Sequence, residues 1–273
     1  MRVLSTNLKK PTAWEVNRLP VVADIITDAA AEVVAVQECP GQEHLEELAG
    51  LVGYTYRIAP SPTGFHTGLL WHRGLREVDG GDKYADRSVG TWHGFTSSTL
   101  TCGSWPSPIT FLSAHLIPHD VDQAVSEARF LQTRVRRHGH PGVLLGDLNH
   151  LALEGPEPPW DEIPDHNRAS RTILDQDNPD DVVGDRRVGL VLTRSGLVDA
   201  AAHHAHTFGD QGAFAPTGVH GKTRVDQVWV SRVLAAAITG YERLDHRDVT
   251  DHHPVLVDLD LGSLAPIGQV EFH

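Results

Sequence analysis

Cysteine is scarce in this chain. Cys39 and Cys102 are the only two, too few for a disulfide framework and without the paired spacing of a structural zinc site. Both are expected as buried thiols. Basic residues are also in deficit, with 23 Lys and Arg against 36 Asp and Glu and a formal net charge of −13. That balance argues against a protein that holds nucleic acid mainly through a broad basic surface, because such binding relies on cations displacing counterions from phosphates. It leaves open an acidic protein that grips a single phosphate through a metal ion and a few local arginines. No run approaches the roughly 20 apolar residues of a membrane span, and Met1–Lys10 lacks an apolar core of signal-peptide length. A cytoplasmic protein without membrane partners is therefore expected.

The 273 residues are 40% hydrophobic, enough for a substantial core, and the 17 prolines and 25 glycines are scattered rather than pooled in a linker. One domain spanning 1–273 is the expectation, with a long irregular loop at about 151–187 where Pro, Asp, Glu and Asn crowd out apolar residues. Such loops often carry specificity. There is no internal repeat.

Elsewhere short apolar runs alternate with helical spacing. Val3 to Leu8 reads as a strand and Leu19, Val22, Ile26 and Ala29 as one helix face. Val33 to Val36 is a second strand, stopped after Gln37-Glu38 by Pro40-Gly41. Residues 43–51 read as a helix, 55–59 and 67–72 as strands, and Asp79-Gly80-Gly81 as a turn within a meander. Ile109 to His115 is a strand, Asp122 to Arg137 a helix, and Gly142 to Asp147 a buried strand. Val188 to Ser195 is a short helix ended by Gly196. Arg224 to Val230 and Pro254 to Leu259 complete the strands.

Six of these segments end in, carry or adjoin a residue able to bind a hard cation or move a proton: Asn7, Glu38, His115, Asp147 with Asn149, Asp226, and Asp251 with His252. Singly, each is an ordinary turn or capping residue. Strands of one sheet system bring their ends together, however, so ligands from distant sequence can converge on one cleft.

The motifs themselves, Ser5-Thr6-Asn7, Gln37-Glu38, Ser113-Ala114-His115-Leu116, Gly146-Asp147-Leu148-Asn149, Arg224-Val225-Asp226 and Thr250-Asp251-His252-His253-Pro254-Val255, occur in the order and form of the endonuclease, exonuclease and phosphatase superfamily. The chain resembles that group, which includes pancreatic-type deoxyribonucleases, abasic-site endonucleases, inositol polyphosphate 5-phosphatases and bacterial sphingomyelinases. Thr250 stands where Ser is usual, and no Tyr or Arg between Leu70 and Thr110 matches the extra phosphate-contacting residue of some nucleases. The resemblance implies an α/β (α+β) four-layer sandwich, two mixed β-sheets packed face to face with helices outside.

It also implies divalent-metal-dependent hydrolysis of a phosphoester, with Mg²⁺ or Mn²⁺ held by Glu38, Asn7 and Asp251, an oxygen-rich set suited to a small hard cation. By the same resemblance Asp147 orients and deprotonates water, and Asn149 holds water or phosphate. His252 contacts the scissile phosphate with Asp226 behind it, and His115 is a second phosphate-binding or acid–base histidine. Nuclease or phosphodiesterase action on nucleic acid or a nucleotide is expected ahead of phosphomonoesterase action on a small phosphorylated metabolite. A non-catalytic binding protein on the same scaffold is the reading from another class. His203, His204 and His206 read as a solvated loop, Arg168 and Arg171 as surface residues, His253 as a supporting residue, and Trp14, Trp71 and Trp229 as core.

Overall fold

A computed structural model describes residues 1–9, 18–82, 84–85, 89–137, 139–178 and 180–267. Trp14 lies outside them. The apolar run at the start forms β1 (Arg2–Asn7), and α1 (Arg18–Asp28) carries the chain to β2 (Val33–Cys39), parallel to β1 with Val3 opposite Val33 and Asn7 opposite Gln37. Helix α2 (Gln42–Val52) and the hairpin of β3 (Tyr54–Ala59) and β4 (His66–His72) follow. A second parallel pair, β7 (Ile109–His115) and β8 (Gly142–Asp147), is joined through α3 (Val121–Arg134), after the hairpin of β5 (Arg76–Gly80) and β6 (Phe95–Thr101). Asp79 and Gly80, expected in a turn, are thus the end of a strand. The later elements are α4 (Asp165–Ala169), α5 (Arg187–Arg194), β9 (Leu197–Asp199), α6 (Ala200–Phe208), β10 (Asp226–Ser231), β11 (Ile238–Arg243) and β12 (Val255–Leu259).

The strands make two six-stranded mixed sheets, ordered β11-β12-β1-β2-β4-β3 and β5-β6-β7-β8-β10-β9. Alternation along each strand sends one set of side chains inward, so that Val3, Val33 and Leu69 of the first sheet pack on Phe111, Val143 and Val228 of the second. The outward set, Leu4, Val34 and Leu70, packs under α1 and α2 through Ile26, Leu45 and Leu48. On the other side Leu112, Leu144 and Trp229 pack under α3 and α5 through Leu131, Val188 and Leu192. The result is the four-layer sandwich that the resemblance implied. Trp71 and Trp229 are core residues. Cys39 is buried, which pushes its thiol up to about 12, but Cys102 is half exposed on a loop and not the buried thiol expected.

His203, His204 and His206 belong to α6 rather than to a loop. Asp199 caps that helix by accepting from the Ala201 amide, and Ala200, Ala201 and Ala205 bury its apolar face in the inter-sheet core. Among the described residues no helix is long and apolar enough to cross a membrane.

Candidate active site

The parallel pairing of β7 with β8 sets His115 opposite Asp147, and the antiparallel pairing of β10 with β8 sets Asp226 opposite the same Asp147. Three chemically able side chains therefore lie in a row across three adjacent strand ends. Gly146 makes this closeness possible, since a Cβ there would stand 1.9 Å from the Ala114 carbonyl oxygen. From the facing sheet, Asn7 at the end of β1 donates its side-chain amide to Asp147 Oδ2 at 3.0 Å and to Glu38 Oε1 at 3.2 Å. One amide thus ties the two sheets together at the cleft.

Glu38 reaches that position through a bulge. The pairing of β2 with β4 shifts register between Val36 and Cys39, and Glu38 takes a left-handed φ of 55°. A non-glycine residue held there carries strain that folding must offset elsewhere, a pattern concentrated at functional sites. Gln37 is fully buried and donates across to Ser113 Oγ at 3.2 Å.

Asp147 is the hub. Its Oδ1 accepts the Asn149 amide at 2.9 Å, and its Oδ2 lies 3.6 Å from His115 Nε2 and 3.9 Å from His252 Nε2. Burial opposes its ionisation, yet the imidazoles of His252 and His115 and the N–H donors of Asn149 and Asn7 hold its carboxyl below the usual carboxylate range. On the far side of His252, Asp226 Oδ2 lies 2.8 Å from Nδ1, completing an Asp226–His252–Asp147 chain. Burial works against a charged imidazole, but the two carboxylates push His252 up to about 10. His252 is placed by a bridge to Gly218, and Thr217 Oγ1 fixes the start of β10 by accepting the amides of Val225 and Asp226.

Asn149 sits at a left-handed φ of 57°, donates its side-chain amide to the Leu116 carbonyl at 2.9 Å, and gives its own carbonyl to Arg171 Nε at 2.8 Å. Arg171 is therefore not a surface residue as its acidic, proline-rich surroundings suggested. It is buried, with further bonds to the Asn167 carbonyl and side chain and to Ser170. Arg168 is half exposed and paired with Asp165. Asp251 stands at the rim, where Lys9 Nζ lies 3.1 Å and His220 Nε2 3.9 Å from its carboxylate. His253 supports from behind through Leu244.

Sequence reasoning missed His93. It leads into β6 and stacks on His115, its Nδ1 lies 2.7 Å from Thr63 Oγ1, and burial together with the neighbouring His115 pushes it down to about 3. Lys9 and Arg171 were missed as well. Only Lys9 carries a sequence signal, its place two residues after Asn7.

Ligand atoms of Glu38, His115 and Asp147 lie within 4.8 Å of one another, and so do those of Asp147, Asp226 and His252. The first set fits a divalent cation, because it offers carboxylate oxygens from both sheets and an imidazole at one point. The carboxylate of Asp251 belongs to neither cluster among the described residues and faces Lys9 instead.

The sequence profile of the Endonuclease/Exonuclease/phosphatase family matches residues 12–252. No curated protein sequence matches the chain. Among solved structures, a mannosyl-6-phosphatase of Bacteroides thetaiotaomicron superposes with a TM-score of 0.63 at 16% identity, covering 95% of this chain and 99% of that one. The endonuclease domain of TRAS1, a telomere-specific non-LTR retrotransposon, gives 0.60 at 14% identity over 96% and 99%. Truncated TDP2 of Caenorhabditis elegans gives 0.61 at 15% over 94% and 96%. These likenesses establish a shared fold.

Proposed function

Because the chain belongs to the endonuclease/exonuclease/phosphatase family of phosphoester hydrolases, we propose that it cleaves a phosphodiester in a nucleic acid or nucleotide, in the cytoplasm, with Mg²⁺ as its cofactor. One observation carries the reading: a single buried carboxylate, Asp147, is held ionised between two histidines, a backbone amide and an amide side chain, with Asp226 behind one of those histidines.

A phosphodiester resists hydrolysis because its negative oxygens repel the nucleophile, so charge must be offset and water positioned. Glu38 would hold the cation on the side where His115 and Asp147 face it, with Asn7 and, from outside that cluster, Asp251 fixing the ion or its waters, and Mn²⁺ able to replace Mg²⁺. A divalent ion bound there supplies charge neutralisation at a phosphate oxygen. Asp147 accepts a proton from water and aims the oxygen at phosphorus, and the opposite ester P–O bond breaks, its oxygen leaving with a proton from a site histidine or from solvent. His252, kept as an imidazolium by Asp226, binds a phosphate oxygen through Nε2–H, and His115 supports the phosphate from the neighbouring strand. Asn149 orients water or phosphate from the turn that Arg171 braces.

Phosphomonoesterase action is the second reading, favoured by the extra cation Lys9 at the rim, which suits a terminal phosphate dianion. Purified protein assayed with Mg²⁺, Mn²⁺ or EDTA on bis-p-nitrophenyl phosphate, p-nitrophenyl phosphate and plasmid DNA separates the two. Metal-dependent cleavage of diesters, lost in Asp147→Ala and His252→Ala, supports the first. Turnover of the monoester alone supports the second, and turnover that survives both substitutions removes this site from the chemistry.

A further inference from the structure

The loop before β6 places an exposed tryptophan directly beside the histidine that stacks on His115. Trp92 is 41% exposed. A lone exposed aromatic needs no explanation, but this one is anchored. Its backbone amide donates to Glu127 Oε1 at 2.6 Å, and Glu127 on α3 is itself only 1% exposed. The other oxygen of Glu127 accepts the Ile117 amide at 2.9 Å, so one buried carboxylate fastens together the loop that carries Trp92 and the loop that follows His115. Burying a carboxylate is unfavourable unless it is fully hydrogen-bonded, and here its bonds hold together the loop before β6 and the loop after β7. The second loop brings the exposed ring of His119 edge-on to Trp92, with centroids 5.7 Å apart and planes at 88°. On the inner side His93 lies over His115 at 4.2 Å, 18° from parallel. A single residue step along the chain thus separates the stacked pair of His93 and His115 from a corner made of two aromatic surfaces.

We propose that Trp92 and His119 form a stacking shelf for the base adjoining the scissile phosphate, which makes the substrate class a nucleotide phosphodiester. The inference rests on the phosphodiesterase reading above and adds the chemistry of the group attached to the phosphate. A planar base lies against the Trp92 face while its rim meets the His119 ring, and a π-face serves every base, so the shelf is tolerant of sequence. It also supplies contact without basic surface, which suits a chain of net charge −13. Glu127 is a positioning residue for the shelf.

The test compares ligands that differ only in the base. In EDTA, calorimetric binding of thymidine 5′-monophosphate is measured against deoxyribose 5-phosphate and mannose 6-phosphate. In Mg²⁺, KM for thymidine 5′-(p-nitrophenyl phosphate) is measured against methyl p-nitrophenyl phosphate, which has the same leaving group. The wild-type protein is expected to favour the base-bearing member of each comparison by roughly 5- to 100-fold, the range that one base stack contributes. Trp92→Ala collapses both ratios, and Trp92→Phe retains most of each. Equal affinities in the wild-type protein, a Trp92→Ala effect of the same size on every ligand, or a preference for mannose 6-phosphate overturns the shelf. Absence of turnover would instead count against the phosphodiesterase reading, and the binding comparison remains readable in that event.

Discussion

The imidazoles of His93 and His115 stack with centroids 4.2 Å apart and planes 18° from parallel, an arrangement two charged rings would not share. His93 is neutral, since burial and its neighbour push it down to about 3 from an ordinary 6.5. A histidine whose folded value is depressed contributes stability that is present above pH 6.5 and lost as pH falls toward the folded value. The loss for one group approaches about 1.4 kcal/mol per pH unit. Urea unfolding between pH 7 and pH 4 should therefore show a steep decline in the wild-type protein. The decline should be shallower in His93→Phe, which keeps a ring in the stack. Part of the slope remains, because burial pushes His150 down to about 4 with the same sign. Parallel curves for the two proteins would remove His93 as a source of acid sensitivity.

Asp147 accepts from Asn7 and Asn149 while facing two imidazoles, so Asp147→Asn keeps the volume and removes the charge and the proton acceptor. General-base catalysis is worth roughly 10²- to 10⁴-fold, and kcat on a diester substrate should fall by that order. A kcat within threefold of wild type would show that another group takes the proton from water.

Arg171 fastens the Asn149 turn from behind by donating to the carbonyls of Asn149 and Asn167. Arg171→Met preserves much of the stem and strands those acceptors, at a cost of about 2–4 kcal/mol for buried groups left unpaired. Arg171→Lys should recover little, since an ammonium lacks the planar fork that reaches several acceptors at once. Denaturant midpoints read the first effect and kcat reads the second, because the left-handed Asn149 relaxes when its brace is gone. Near-wild-type stability in both variants would make the bonds to Arg171 incidental.

The strands that deliver Asn7, Glu38, His115 and Asp147 were legible because each is an apolar run stopped by a polar residue, and register then does the rest. Strand β6 was less so. Its Thr96, Ser97, Ser98 and Thr99 are buried although each carries a hydroxyl, and the hydroxyls of Ser97, Ser98 and Thr99 find partners, as in Thr99 to Thr110 across the strand pair and the Asp82 amide to Ser97. Burial of Arg171 depends on carbonyls that only tertiary structure assembles, in a segment whose composition reads as surface. His93 and Trp92 lie on a loop without periodicity, and their importance comes from His115 and Glu127, each more than 20 residues away in sequence. The helical state of His203 to His206 was within reach, given the Asp199 cap and the alanines. The polarity of the three histidines reads as a solvated loop, whereas the apolar face beneath them is made by the alanines of the same helix.

Glu38 joins backbone strain to the cation site, and the two can be separated. Its φ of 55° costs a non-glycine residue free energy, while its carboxylate meets His115 and Asp147 within 4.8 Å. Mg²⁺ that binds only the folded chain at a hundredfold excess over Kd should stabilise it by about 2.7 kcal/mol, which for a chain of this size corresponds to a rise in Tm of about 5–10 °C. EDTA should reverse the rise. Glu38→Gln keeps the strain and removes the charge, so its Tm without metal should sit near that of the wild-type protein and its response to Mg²⁺ should be lost. Glu38→Gly removes both, so without metal it should match or exceed the wild-type Tm by the relief at a left-handed position, about 0.4–1 kcal/mol, and it too should ignore Mg²⁺. A full Mg²⁺ response in either variant would place the cation elsewhere. A Glu38→Gly protein well below wild type without metal would mean that the side chain supports the fold through its bond from Asn7 rather than being held in strain for the ion.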